Sequence, residues 1–171
     1  IVVGLVSLYL ILNFRGLDSE TAMDQAQIGR QIASGNGFST LYVRPMAMWQ
    51  FLNEDKEIPS ASFPDTYNFP LNPLVNAVVL RPFQRWWSME PTDVVYIGDR
   101  VIASAGIAFF LSAVFIFFFV VRGLFDSKIA WITTCLVLLT DMMWRHSVSG
   151  LPQMLLLFIF AADLWGMHQA M

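Results

Sequence analysis

Charge disappears from the chain after Arg100 and does not return until Arg122. Val101 to Val121 is apolar on every helical face, including the run Phe115-Ile-Phe-Phe-Phe119. At ~1.5 Å of rise per residue it covers ~30 Å, the hydrocarbon thickness of a bilayer, so the pattern predicts a membrane-spanning helix near 98–122. A soluble domain of 171 residues would have to bury that helix on all sides, which so small a core does not do. Three further apolar stretches ask for the same reading. Ile1–Phe14 is too short to cross, and because the chain opens on Ile rather than Met it reads as the end of a span that starts earlier. A signal peptide would need a small-residue cleavage site after Phe14, and none follows. Ile129 to Trp144 is interrupted only by Asp141, and Leu151 to His168 only by Asp163. The expected fold class is an all-α integral membrane protein: one module over 1–171, with about four transmembrane helices near 1–14, 98–122, 128–144 and 150–170 and a long outer loop over 15–97.

The loop carries helical patterning of its own. Asp18 or Ser19 can cap a helix running to Ser34, with Ala22, Met23, Ala26, Ile28, Ile32 and Ala33 on its apolar side and Gly35 in the position that ends helices. A second helix is expected from Asn72, a good cap, with Pro73 in its first turn and Pro82 closing it. At about ten residues it cannot span. Both are expected along the membrane surface, with Trp86, Trp87 and Trp49 at headgroup level. Between them, Asn53 to Asp65 is polar and punctuated by proline, an exposed loop tip.

Composition narrows the partners. The hydrophobic share is 56%, charged residues make up 13% and the mean hydropathy is +0.57, well to the apolar side of soluble domains. A net charge of −3 with mixed signs offers no basic stripe for nucleic acid. Cys135 stands alone inside an apolar run, so it reads as a small buried hydrophobe. Arg122 and Lys128 bracket a tight turn and belong in the cytoplasm by the positive-inside bias, which puts the long loop outside. The expected location is the cytoplasmic membrane of a bacterium, and the expected surroundings are membrane lipid.

Certain strings then fall in a telling order: Ala22-Met-Asp-Gln-Ala-Gln-Ile-Gly-Arg-Gln-Ile-Ala-Ser-Gly-Asn-Gly-Phe38, Val43-Arg-Pro45, Phe69-Pro-Leu-Asn-Pro-Leu74, Arg122-Gly-Leu-Phe125 and Ser149-Gly-Leu-Pro152. With one span, an outer loop and closely spaced spans around them, the chain resembles the N-terminal part of the C-type, polyprenyl-phosphate-sugar-dependent glycosyltransferases, in the protein-mannosyltransferase-like branch. Members of that family have many more spans, so the resemblance covers about the first third of such an enzyme. It implies transfer of a sugar from a polyprenyl-phosphate carrier to an acceptor at the extracytoplasmic face, and further spans of the same polypeptide or a membrane-protein partner. The other reading is a non-catalytic membrane subunit that keeps the fold as a packing module in a larger complex.

The family places a catalytic carboxylate just after the first span, where it takes the proton of an attacking hydroxyl. Asp24, Glu20 and Asp18 qualify by position, Asp24 first because it lies in the best-matching string. Each also suits an ordinary place near a helix start, where the dipole favours acids. A lipid-phosphate donor needs cations near the headgroups, and Arg44, Arg30 and Arg145 are the candidates, with snorkelling to phospholipid as the plain alternative. Two positions depart from the family: Asn68 and Phe69 stand where a His or Lys commonly precedes the Pro-Leu motif, and Gln153 stands where a carboxylate is common. No cofactor is implied by the residues, and a divalent-metal requirement stays open. His146 and His168 have no partner at ligand spacing, so no metal site is assigned. Asp141 and Asp163 inside spans are expected to face a neighbouring helix, a cavity or a partner, since facing lipid costs several kcal/mol.

Overall fold

The computed structural model describes residues 14–53, 62–87 and 95–170 together with Gly4, Val6 and Leu10. The expected span at 1–14 and most of the loop tip at 53–65 therefore lie largely outside the described residues. Seven α-helices and a two-residue β-ladder make up the regular structure among them.

Helix α1, Glu20–Ala33, begins after an extended Ser19 whose side chain makes no capping bond. Asp18 is exposed and outside the helix, so neither expected cap acts as one. The other end is built as the sequence implies. Gly35 takes φ +86°, which lets its amide bond Ile32 O at 3.0 Å and the Asn36 amide bond Gln31 O at 2.9 Å, the left-handed turn that satisfies the last carbonyls of a helix. Strand β1, Ser39–Thr40, pairs antiparallel with β2, Phe63–Pro64, and between them runs α2, Pro45–Asn53, a helix the sequence pattern does not announce. Helix α3, Leu71–Leu80, continues into a 3-10 turn over Arg81–Trp86 that absorbs Pro82. Asn72 is inside α3 rather than capping it: its amide donates to Gln25 Oε1 at 2.6 Å and to Gly150 O at 3.3 Å.

Helices α1 and α3 pack closely because small residues face each other. Gly29 lies so near α3 that a Cβ there would stand 2.9 Å from Asn76 Cβ and 3.2 Å from the Pro73 carbonyl oxygen. Ala22 and Ala26 join Leu80, Ile102, Ala103, Phe14 and Leu17 in a buried cluster beneath. Replacing a helical Gly by Ala ordinarily stabilises by up to ~1 kcal/mol. Here the methyl has no room, and overpacking of ~1–3 kcal/mol outweighs that gain. Gly29→Ala is therefore expected to lower the thermal unfolding midpoint of the purified protein. An unchanged or raised midpoint would mean the two helices can separate freely.

Helix α4, Ile97–Leu124, is the one described helix that alone is long and apolar enough to cross a membrane. Only 28% of its most apolar window is buried inside the protein, against what a soluble core helix requires. It is followed by α5, Ser127–Leu139, α6, Asp141–Val148, and α7, Gln153–Ala170. The expected four spans are thus corrected: the described residues hold one helix of membrane length, or two if α6 and α7, bent by 111° at their junction, count as a broken span. The stretch 128–144 fails as a span because it breaks at Thr140, which is extended at ψ 105°. Its hydroxyl bonds back to Leu136 O at 2.9 Å and the Trp144 indole N–H takes Leu138 O at 2.7 Å, so the freed carbonyls are satisfied locally. The resulting α5 is 13 residues, ~20 Å at helical rise.

Asp141 opens α6, where a carboxylate favours the helix dipole, and pairs with Arg145 one turn on at 2.7 Å. It finds its partner on its own exposed helix, not on a neighbouring one. Asp163 is exposed. Cys135, expected to be buried, is also exposed, because the apolar face of α5 points outward with Trp131, Ile132, Leu136 and Leu139. Behind it, Phe110 is fully buried with Val114 and Met154, its ring edge-on to Trp144 at 5.2 Å. At the α6–α7 bend Gly150 takes φ +75°, a conformation that favours glycine, and the end of the Leu17 side chain packs against it.

Candidate functional site

Asp24 is on the buried side of α1, 9% exposed, facing β1 and the turn after β2. Its Oδ1 accepts from the Thr40 hydroxyl at 3.2 Å, and its Oδ2 accepts from Asn68 Nδ2 at 2.7 Å and from the Arg44 guanidinium. A carboxylate offers about four lone-pair sites, and three are taken, leaving Oδ1 one free. The single Thr40 proton is shared between Asp24 Oδ1 and Gln27 Oε1, which lies 3.0 Å away, and the hydroxyl oxygen accepts from the Tyr42 amide at 3.1 Å.

Arg44 joins two carboxylates. Besides Asp24 it pairs through Nε with Asp65 Oδ1 at 3.5 Å, and its guanidinium lies over the Tyr67 ring at 4.4 Å. The Asp65 side chain is 0% exposed. Its Oδ2 accepts the Asn68 amide at 2.9 Å, which closes the turn that aims the Asn68 side chain at Asp24. Such turns are what a short acidic side chain favours, and the β1–β2 ladder fixes this one opposite α1.

An open cavity of ≈470 Å³ borders this network, with Glu20, Asp24, Arg44, Tyr42, Tyr67 and Asn68 in its wall. Glu20 is exposed there and makes no hydrogen bond or ion pair with another described residue. A second cavity of ≈410 Å³ shares Met23 and Tyr42 with the first and is completed by Arg30, Tyr96 and Asp99. In it Arg30 pairs with Asp99 at 3.6 Å and lies 5.0 Å over the Tyr96 ring. Burial pushes the Tyr96 phenol above its ordinary range; the nearby Arg30 charge opposes this and Asp99 adds to it. A third, ≈220 Å³, holds Asp18, Arg15, Arg145 and Ser149 at the α6–α7 bend.

The six residues singled out from the sequence are thus distributed over three hollows. Asp24, Glu20 and Arg44 share one, Arg30 lines the next, and Asp18 and Arg145 share the third. All three arginines are engaged by carboxylates, Arg44 most fully and Arg145 least, since its pair with Asp141 is 79% and 76% exposed. Sequence reasoning missed Thr40, Asp65, Asp99, Tyr67 and Tyr96, and registered Asn68 only as a departure. The Asp65-Thr-Tyr-Asn68 string was a legible turn; what it turns toward was not. Among the described residues no three His, Cys, Asp or Glu side chains converge as metal ligands. Comparison with protein-family models, curated proteins and solved structures finds no match to this chain.

Proposed function

We propose that this chain is the front portion of a membrane glycosyltransferase that moves a sugar from a polyprenyl-phosphate carrier to an acceptor hydroxyl at the extracytoplasmic face. The observation that carries the reading is the Asp24 carboxylate, fixed by Thr40, Asn68 and Arg44 in the wall of an open cavity. In the proposed step the acceptor oxygen bonds the anomeric carbon of the sugar. The bond from that carbon to the phosphate oxygen breaks with its electron pair on the phosphate, and the hydroxyl proton passes to Asp24. The products are the new glycoside and free polyprenyl phosphate.

Of the three arginines, Arg145 is the best cation for the carrier's phosphate. Its exposed partner within one helix is worth only ~0.3–0.5 kcal/mol and exchanges readily, and Arg15 stands in the same hollow. The test is sugar transfer from a polyprenyl-phosphate sugar by the reconstituted full-length gene product. Donor turnover that requires an added acceptor supports the reading. No turnover with any polyprenyl-phosphate sugar tried supports the second one, a non-catalytic membrane subunit, which the outward aromatic faces of α4, α5 and α7 also suit.

The reading requires α4 to cross the membrane with the site outside and the turn at Gly123–Ser127 in the cytoplasm. Thr66 and Ser127 are both exposed. In a Cys135→Ser background, Thr66→Cys is expected to react with an impermeant thiol reagent on intact cells and Ser127→Cys only after lysis. The opposite pattern reverses the orientation.

A further inference from the structure

The second cavity differs from the first in one decisive respect. Among the described residues that line it, the cation and the anion neutralise each other, Arg30 against Asp99, so these residues together offer no net charge to a phosphate or to a metal ion. At 3.6 Å the pair is also looser than the ~2.7–2.9 Å of an optimised charge-assisted bond. Guanidinium N–H donors and carboxylate lone pairs therefore remain for a ligand that can both donate and accept. Burial keeps the Tyr96 phenol protonated, adding one more group of both kinds. Beside these polar groups stand the half-exposed ring of Tyr42 and the flexible Met23. A few convergent polar groups against aromatic and apolar walls, in ≈410 Å³, fall in the ~300–1,000 Å³ range of small-molecule sites.

We infer that this cavity is a binding subsite for a neutral saccharide, whose hydroxyls bridge Arg30 and Asp99 while a C–H face of its ring rests on Tyr42. Because Met23 and Tyr42 also wall the Asp24 cavity, a sugar held here has its next hydroxyl directed toward Asp24. The subsite therefore makes the acceptor a carbohydrate; that role rests on the transferase reading, whereas the binding itself does not.

Methyl glycosides of glucose, galactose and mannose serve as probes, with saturation-transfer NMR on the full-length gene product in nanodiscs. At least one is expected to give ring-proton signals with the unaltered protein and with Lys128→Gln, a remote surface change. Asp99→Asn and Tyr42→Ala are each expected to weaken its binding about tenfold or more, the scale of one charge-assisted hydrogen bond or one stacked ring. Tyr42 is exposed, so its truncation leaves the fold intact should Asp99→Asn disturb the first turn of α4. Absence of signal from all three glycosides, or equal binding by both variants and the unaltered protein, overturns the inference. Glycoside binding without any transfer from a polyprenyl-phosphate sugar removes the transferase reading and leaves the subsite standing; transfer to peptide or lipid acceptors without glycoside binding does the reverse.

Discussion

Asp24→Asn is expected to reduce sugar transfer by the full-length protein ~100-fold or more, the usual scale for losing general-base help, while leaving the protein folded. The amide matches the carboxylate in shape: its oxygen at the Oδ2 place still accepts from Asn68 and Arg44, its NH2 at the Oδ1 place donates to the Thr40 oxygen, and Arg44 keeps Asp65 as a counter-charge. What it loses is the ability to take a proton at the free lone pair of Oδ1. Glu20→Gln should cost less, because Glu20 is exposed and nothing orients it. Asp18→Asn should cost less than the ~1 kcal/mol of a lost helix cap, since Asp18 caps nothing. Transfer rates from a polyprenyl-phosphate donor decide. Near-normal turnover in Asp24→Asn with Glu20→Gln inactive moves the base to Glu20, and normal turnover in all three takes catalysis out of this loop.

Arg44→Met should be the most damaging single change to stability. It leaves the Asp65 carboxylate, wholly enclosed, and the Asp24 carboxylate, 12% exposed at its side chain, with no cation between them. Removing one partner of a buried pair costs ~3–5 kcal/mol, because the remaining charge stays desolvated. Arg44 is itself 29% exposed, which places the loss near the lower end, about 3 kcal/mol. Adding Asp65→Asn to Arg44→Met should recover part of it, since the buried anion goes with the cation; a double variant as unstable as the sum of the two single ones would show no coupling. Arg44→Lys should fall between, as an ammonium lacks the fork that reaches both acids. Unfolding midpoints of the unaltered protein and the four variants in one detergent give the comparison.

Helix α1 and the long apolar helix were legible because each is specified locally. Gly35 has to end α1, and nothing between Arg100 and Arg122 can end α4. The break at Thr140 was not legible, because one acid in an apolar stretch reads as an interruption until a hydroxyl and an indole are seen to satisfy the carbonyls a break exposes. Cys135 misleads for a related reason: an apolar run says that water is avoided, not that protein surrounds it. At the site, Asp24 and Arg44 could be chosen from their strings, but what makes them a unit comes from afar. Asn68 reaches Asp24 across 44 residues, and Asp99 meets Arg30 from another helix entirely. Pairings over such separations follow from the packing of α1 on α3 and α4, which no local pattern encodes.

The amide of Asn72 holds Gln25 with one hand and the carbonyl of Gly150 with the other. It thereby ties the helix that carries Asp24 to the corner where α6 turns into α7, and the Gly29 contact locks the same helix to α3 a turn further on. Asp24 and the α6–α7 corner consequently belong to one frame. The opposite wall, the segment that carries Tyr42, Arg44 and α2, is held to the same helix by Thr40 and Arg44 at Asp24 and to residues 63–64 by a ladder of two residues per strand.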